Sequence, residues 1–585
     1  MGTAAAVPGA ALLTGAAPAA AAPAAASVAG PPTVTPDDLH FRPHVLRPGS
    51  ARHAGMLQEY VEKIVPAAAA YMEPGPGRPH PSHPGFALLA ARNGVVVEHA
   101  ARGYALRYAK WDAEAGKPVE LPREEWVEAR PDTIYDMASC SKLFTSVVVI
   151  RLAERGTVDV DAPVRRYLPD FDRSDPAKTP ITVKQLLTHT SGMKPWMDLG
   201  PYPDNDARMA AIYAQPLVFE PGTDYVYSDL NLITTGRMLQ EITGEGLDRL
   251  VARLVTEPLG LTDTGYNPPA SKLDRIAATE WQPWTGRGMV RGSVHDENSW
   301  YLGGVAGHAG VFSTARDMAV FGQMLVNGGT YDGKRLISEE WVRRTLTNYN
   351  EGLGGGAARG LGFQLDQRFY MDALTSPVSF GHTGYTGTDL VCDPVSGTVF
   401  TLLTNRVHPT REWGTASDYR RAPARMVARA LPVRPATGGT AWFSGQQDKS
   451  VATLRVPLRA AVHDGALRFR LWYDTESTDL CTLQAATDGA DWQAVPLQLR
   501  SGRPRWSTDG TVSGFAARRW LDAAASLPEG TTQLRWRYVT DSIYQGRGVY
   551  VDDVRVHSGR HKVFDGERPH DAARIVADGW TASRD

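Results

Sequence analysis

The chain has 585 residues, 62 basic and 64 acidic side chains, a formal charge of −2 and 42% hydrophobic residues. That length exceeds one ordinary core and predicts two or three domains, and the charge balance leaves no electrostatic footprint for nucleic acid. Its three cysteines, Cys140, Cys392 and Cys481, exclude a disulfide framework without fixing the compartment.

Residues 1–35 are nearly all Ala, Gly, Pro and Val, with Leu12-Leu13 the only strongly apolar pair and no Lys or Arg before Arg42. They read as the apolar and cleavage regions of an export signal lacking its basic start, hence a secreted protein; the alternative is a disordered Ala/Pro tail. No segment offers the ~20 apolar residues of a spanning helix, so no membrane span is expected. Phe86 to Ala91 and Val95 to Ala101 flank Asn93-Gly94, which predicts a hairpin. Helical patterns fill the middle as far as Met318 to Leu325, and strands return around His382 and Val399 to Leu403. Strands at both ends with helices between predict an α/β (α+β) domain. Its antiparallel sheet would be built from both ends, flanked by helices and carrying an all-helical insert, with a cleft between sheet and helices.

Three short motifs point to chemistry. Ser139-Cys-Ser-Lys142 places a lysine three residues after a serine, and on a helix those positions share a face. A serine hydroxyl is a poor nucleophile until a neighbour takes its proton, and an amine does so only when uncharged. Burial lowers a lysine pKa, and the apolar run Leu143, Phe144, Val147, Val148, Val149 and Ile150 predicts a buried helix and a dry site. The bland alternative is a helix terminus with a solvated lysine. The same pattern recurs as Ser191-Gly-Met-Lys194, where Gly192 and Pro195 indicate a turn.

Tyr227-Ser-Asp229 stands between the Pro221-Gly-Thr turn and the helical pattern of Leu230, Leu232, Ile233 and Leu239. It projects Tyr227 and Asp229 into a cleft, or supplies only a core tyrosine and an Asp helix cap. His382-Thr-Gly384 reads as an edge strand along a cleft, where Gly384 and Gly387 allow substrate backbone to approach closely. No Cys/His spacing fits structural zinc. His189, His295, His308 and His382 read as hydrogen-bonding groups and not as a metal cluster, and no cofactor is expected.

Taken in order, Ile134 to Lys142, Leu186-Leu-Thr-His-Thr-Ser-Gly192, Pro221-Gly-Thr, Tyr227-Ser-Asp229 and His382-Thr-Gly384 resemble the β-lactamase-related serine hydrolases over roughly Leu57 to Leu431. That group includes class C β-lactamases, penicillin-binding proteins and esterases. The run from Val294 to Ser313 resembles the penicillin-binding protein 4B subgroup. The resemblance implies Ser139 as acylated nucleophile, Lys142 as its base and Tyr227 as proton shuttle. It places Asp229 where asparagine is usual and His382 where most β-lactamases carry lysine, with Thr383, Gly384 and Tyr385 completing the substrate strand. Backbone N–H groups of Ser139 and Tyr385 would form the oxyanion hole. A neutral histidine is a weak partner for a substrate carboxylate, which favours small esters or amides, with D-alanyl peptides next and weak β-lactam turnover.

A Cys140/Cys392 bridge is conceivable, because the resemblance sets both near the site. The competing class is a silent cell-wall or glycan-binding protein on the same scaffold, against which the intact Ser139, Lys142 and Tyr227 speak. No Gly-x-Ser-x-Gly elbow occurs, which excludes an α/β-hydrolase.

Beyond Pro432 the pattern changes. The hydrolase domain is expected over 40–432, a linker over 433–440, an all-β sandwich over 441–557 and a tail over 558–585. Alternation in Leu467 to Tyr473 and Leu534 to Tyr538 predicts antiparallel strands. The segments Asp488 to Trp492 and Gly546 to Val554 resemble the jelly-roll modules of immune inhibitor A type proteases. Some of these bind glycans or calcium and others only pack, and both readings stay open.

Overall fold

The computed structural model describes residues 30–414 and 417–585; most of the export-signal expectation falls on residues 1–29, outside them. Along the strand Gly85–Arg92, Phe86, Leu88 and Ala90 enter one core and Ala87, Leu89 and Ala91 the other, because strand side chains alternate faces. Asn93 and Gly94 both take positive φ, 48° and 76°, as a two-residue hairpin turn requires. Arg92 then faces Val95 at the start of the strand Val95–Leu106. On the other side of Gly85–Arg92 come Thr398–Thr404, Asp389–Asp393 and Phe380–Thr383, all antiparallel. The sheet is therefore assembled from both ends of the domain, as the strand pattern predicts.

Helices cover both faces. The helix Ser141–Glu154 buries twelve of its fourteen residues and packs in one core with Ala315–Val326 and Asp229–Thr243. Ile64–Ala69 and Asp418–Arg429 cover the opposite face. The insert is not all-helical. Tyr135–Asp136, Val311–Ser313 and Gly265–Tyr266 form a three-stranded sheet beside the start of the Ser141 helix. Strands of two or three residues are too short to show a period of two, so the sequence pattern missed them. The His382 strand is also not a free edge throughout. Gln364–Leu365 pairs with Gly381 and Phe380, and His382 and Thr383 have no outer partner among the described residues.

The C-terminal part is a sandwich of an eight-stranded and a six-stranded sheet. Its core holds Leu454, Leu467, Phe469, Leu483, Trp536 and Val551. Residues beyond 557 do not form the expected tail. His561–Asp565 pairs with Gly548–Ser558, Val576–Asp578 with Val451–Val462, and Thr581–Ser583 with Ala441–Phe443. Polar residues between these short strands hide the alternation. Among the described residues no helix is long and apolar enough to cross a membrane.

Buried ion pairs tie the sandwich to the hydrolase sheet. Arg518 lies 2.6 Å from Asp393 and 2.8 Å from Asp474, and donates to the Thr375 carbonyl at 2.6 Å. From the hydrolase side Arg425, held on Asp372 of its own domain by two bonds of 2.9 Å, reaches Asp448 of the sandwich at 3.4 Å. Removing one partner leaves a buried charge uncompensated. Arg518→Ala is therefore expected to cost about 3–5 kcal/mol, read as a lowered thermal midpoint of the whole chain.

Candidate active site

A strained turn presents the serine. Ala138 takes φ +44°, a region that non-glycine residues occupy only when surrounding structure enforces it. The Ala138 N–H donates to Asp136 Oδ1 at 2.8 Å, and Asp136 Oδ2 accepts the His295 N–H at 2.6 Å. Burial pushes the Asp136 carboxyl up. A short 3-10 turn, Ala138–Cys140, then leads into the Ser141 helix, so Ser139 and Lys142 share a face as the i, i+3 spacing predicts.

Lys142 is 1% exposed and donates to Ser139 Oγ at 2.9 Å and to the His308 carbonyl at 3.1 Å. Its third neighbour is Asp229 Oδ1, at 2.7 Å. The Tyr227 ring centroid lies 5.0 Å away. The sequence predicts an uncharged amine, and here the structure differs. Burial pushes the lysine down, but the Asp229 carboxylate and Tyr227 outweigh it and hold the group as an ammonium. The Tyr227 phenol, raised by burial, lies against both Lys142 and Ser139.

The Tyr227 loop owes its shape to residues on either side. Ser228, and not Asp229, caps the following helix: it is extended (φ −134°, ψ 120°), and its hydroxyl accepts from Asn231 N while donating to the Lys194 carbonyl at 2.6 Å. Asp229, one position later, is left to face Lys142. His189 has φ 59°, and its Nδ1 accepts the Ser228 N–H at 3.1 Å. Its ring lies 4.6 Å from that of Tyr227. The second Ser-x-x-Lys copy is the expected turn, with Gly192 at φ 79° and Ser191 buried on Asn231 Oδ1 at 2.6 Å.

His382 lies 6.0 Å from the Tyr227 ring, and its Nδ1 donates to the Thr383 carbonyl at 2.7 Å. Burial, then the charges of Lys142 and Arg359, hold its pKa well below the usual range, so it is neutral. Gly384 is needed for a reason other than substrate approach. A Cβ there would stand 2.4 Å from the Met137 carbonyl, so glycine lets the nucleophile turn itself come close. Thr386 and Thr388 hydroxyls tie the two segments together through the Asp136 and Met137 carbonyls. Tyr385 stands at the rim, 43% exposed, stacked on His295. Cys140, Cys392 and Cys481 are separate buried thiols, so Cys140 and Cys392 are not bridged.

Several supporting residues carry no local sequence signal, because their partners are distant in the chain. Asp296 caps the helix Glu297–Tyr301 and bonds His308 Nε2 at 2.8 Å, which fixes the carbonyl that faces Lys142. Arg420 donates to the Gly384 carbonyl at 2.7 Å. Arg359 donates to Tyr225 Oη at 2.5 Å and lies over its ring. Glu280 bonds His295 at 2.8 Å and pairs with Arg411. Burial opposes ionisation of Glu280, but His295 and Arg411 together bring it down to about 2 from 4.5. A carboxyl depressed on folding contributes stability above its unfolded pKa and loses it as pH falls through the folded one. Glu280→Gln is therefore expected to lower stability by roughly 3 kcal/mol at neutral pH, a difference that vanishes as pH falls from 4.5 to about 2; denaturant midpoints across pH measure it.

Comparison with known proteins places the chain. Residues 62–425 match the family described as Beta-lactamase. The chain is 31% identical over 385 residues to a protein of Escherichia coli (strain K12) named putative D-alanyl-D-alanine carboxypeptidase, covering 60% of this chain and 84% of that one. A protein of the same name from Salmonella typhimurium (strain LT2) is 31% identical over 359 residues, 56% of this chain and 79% of its own. Among solved structures, a penicillin-binding protein homolog from Caulobacter crescentus is similar at a TM-score of 0.47 with 20% identity, covering 64% of this chain and 99% of that one. A family VIII carboxylesterase gives 0.46 with 24% identity, 64% of this chain and 99% of its own. On the family match and the curated relatives, this chain belongs to the β-lactamase family of serine hydrolases.

Proposed function

We propose that the chain is an exported hydrolase that forms an acyl-enzyme on Ser139, acting on amides of the D-alanyl peptide type and on small esters. The observation that carries this reading is the 2.9 Å contact between Lys142 Nζ and Ser139 Oγ, made in a pocket where the lysine is 1% exposed. Ser139 Oγ attacks the acyl carbon, and its proton passes to Lys142. The N–H groups of Ser139 and Tyr385 receive the oxyanion, a contribution of about 3 kcal/mol in such sites. Tyr227, against both Ser139 and Lys142, hands a proton to the leaving group. Water then enters in its place and the same groups run the steps again to free the acid. At rest Lys142 orients the hydroxyl, and it becomes a base only after shedding its own proton.

A D-alanyl peptide ends in a carboxylate, and neutral His382 offers it no charge. Arg359 supplies one. It bridges to Gln364, which pairs with Gly381 beside His382, and it holds Tyr225, two residues before Tyr227. Arg359 is 3% exposed, its Nε has no acceptor, and among the described residues its remaining side-chain bonds run to the Ala358 carbonyl and Tyr225 Oη and to no acidic side chain. Burying an unpaired charge is costly, which supports an anionic group of the substrate as its partner. The names of the curated relatives point the same way, and the small-residue leader supports export to where wall peptides lie.

A fluorophosphonate probe is expected to label the wild type and not Ser139→Ala; labelling that survives would move the nucleophile elsewhere. Arg359→Ala is expected to raise KM for a D-alanyl-D-alanine peptide by about 10- to 100-fold, the worth of one charge-assisted bond. Turnover of p-nitrophenyl acetate, which carries no carboxylate, would stay within about twofold, since that bond is not made.

A further inference from the structure

We propose that Asp229 takes the proton from Lys142, so that the site runs on a Ser139–Lys142–Asp229 proton path and not on a lysine that is neutral at rest. This rests on the acyl-enzyme reading above. Asp229 Oδ1 is 2.7 Å from Lys142 Nζ, close enough for direct transfer. The groups that face the ammonium are the Ser139 hydroxyl, the His308 carbonyl, the Tyr227 phenol and Asp229. Farther out stand His189, His382, Arg359 and the Cys140 thiol. Asp229 is the only anion among them. Burial keeps the Tyr227 phenol and the Cys140 thiol protonated, the thiol pushed up to about 12. His189 and His382 are held neutral by burial and neighbouring cations, and neither bonds Nζ.

In water a carboxylate would not keep a proton taken from an ammonium, since the two groups differ by roughly six pKa units. In a dry pocket the order changes, because two buried ions pay a desolvation penalty that a neutral amine and carboxylic acid avoid. Lys142 is already 1% exposed, and Asp229 keeps 20% of its side chain open to solvent. Substrate seated over Ser139 covers that remainder and drives water away from the pair. The trigger for activation is thus the arrival of substrate.

The protons balance. At rest the site holds a Ser139 hydroxyl, a Lys142 ammonium, an Asp229 carboxylate and a Tyr227 phenol. One proton moves from Lys142 to Asp229, leaving an amine and a carboxylic acid. Ser139 Oγ bonds the acyl carbon as its proton passes to Lys142. The bond to the leaving group breaks while that group takes the Tyr227 proton, which Lys142 replaces. Lys142 is again an amine, ready to receive a proton from the hydrolytic water, and Asp229 returns its proton when product leaves. An asparagine in this position accepts no proton, so the family's usual residue does not support this path.

The test is the pH dependence of the acylation burst with p-nitrophenyl acetate in the full chain. In the wild type the proton stays inside the site, so the burst rate is expected to be flat from neutral pH to about pH 10. In Asp229→Asn the Lys142 proton must leave to solvent, so the rate is expected to rise about tenfold per pH unit until the lysine titrates, with KM little changed. Asp229→Glu is expected to restore the flat profile. An Asn variant with the wild-type profile, or one altered in KM alone, would overturn the inference, the latter making Asp229 a substrate contact. Fluorophosphonate labelling of each variant beside Ser139→Ala keeps the outcomes apart. Label on Ser139→Ala defeats the acyl-enzyme reading, whereas a flat Asn profile with Ser139 labelled defeats only the proton path.

Discussion

One buried ammonium organises the site. A charge with 1% exposure is tolerable only if its donors and its field are satisfied nearby, and Lys142 has this in full. Ser139 Oγ and the His308 carbonyl accept from it, Asp229 neutralises it and the Tyr227 ring offers it a π face. Burial, reinforced by this charge and that of Arg359, keeps His189 and His382 neutral. Those rings consequently act as fixed hydrogen-bonding groups: His189 shapes the Tyr227 loop, and His382 closes on its own strand.

Precision around that charge comes from segments far apart in sequence. The left-handed Ala138 turn holds because Asp136 grips the Ala138 and His295 N–H groups at once. His295 is in turn fixed by Glu280, and Glu280 by Arg411. On the other side, Gly384 brings the His382 strand against the Met137 carbonyl, and Arg420 draws in the Gly384 carbonyl. A nucleophile so framed needs little reorganisation when charge develops beside it.

The sandwich is fixed to this frame, not tethered loosely. Arg518 of the sandwich reaches the buried carboxylate of Asp393, at the end of a hydrolase strand, and Arg425 of the hydrolase reaches Asp448 on the sandwich side. Asp393 also accepts Val395 and Ser396 N–H groups in the turn that leads into the next strand. The junction therefore shares residues with the central sheet, which links the stability of the two parts.

What the sequence determined alone was whatever depends on near neighbours or on a simple period. Ser139 and Lys142 meet because residues three apart on a helix share a face, the Asn93-Gly94 hairpin forms because its dipeptide accepts positive φ, and the alternating runs beyond residue 440 form sheets. The tertiary structure alone decided the charge on Lys142, which hangs on a carboxylate from another helix. It also decided that Ser228 is the cap that frees Asp229, that Gly384 serves the nucleophile turn, that Arg359 has no acidic partner among the described residues, and that the last residues join the sandwich. Each is a through-space fact: burial, electrostatic field and close contact are set by groups distant in the chain, and no local pattern records them.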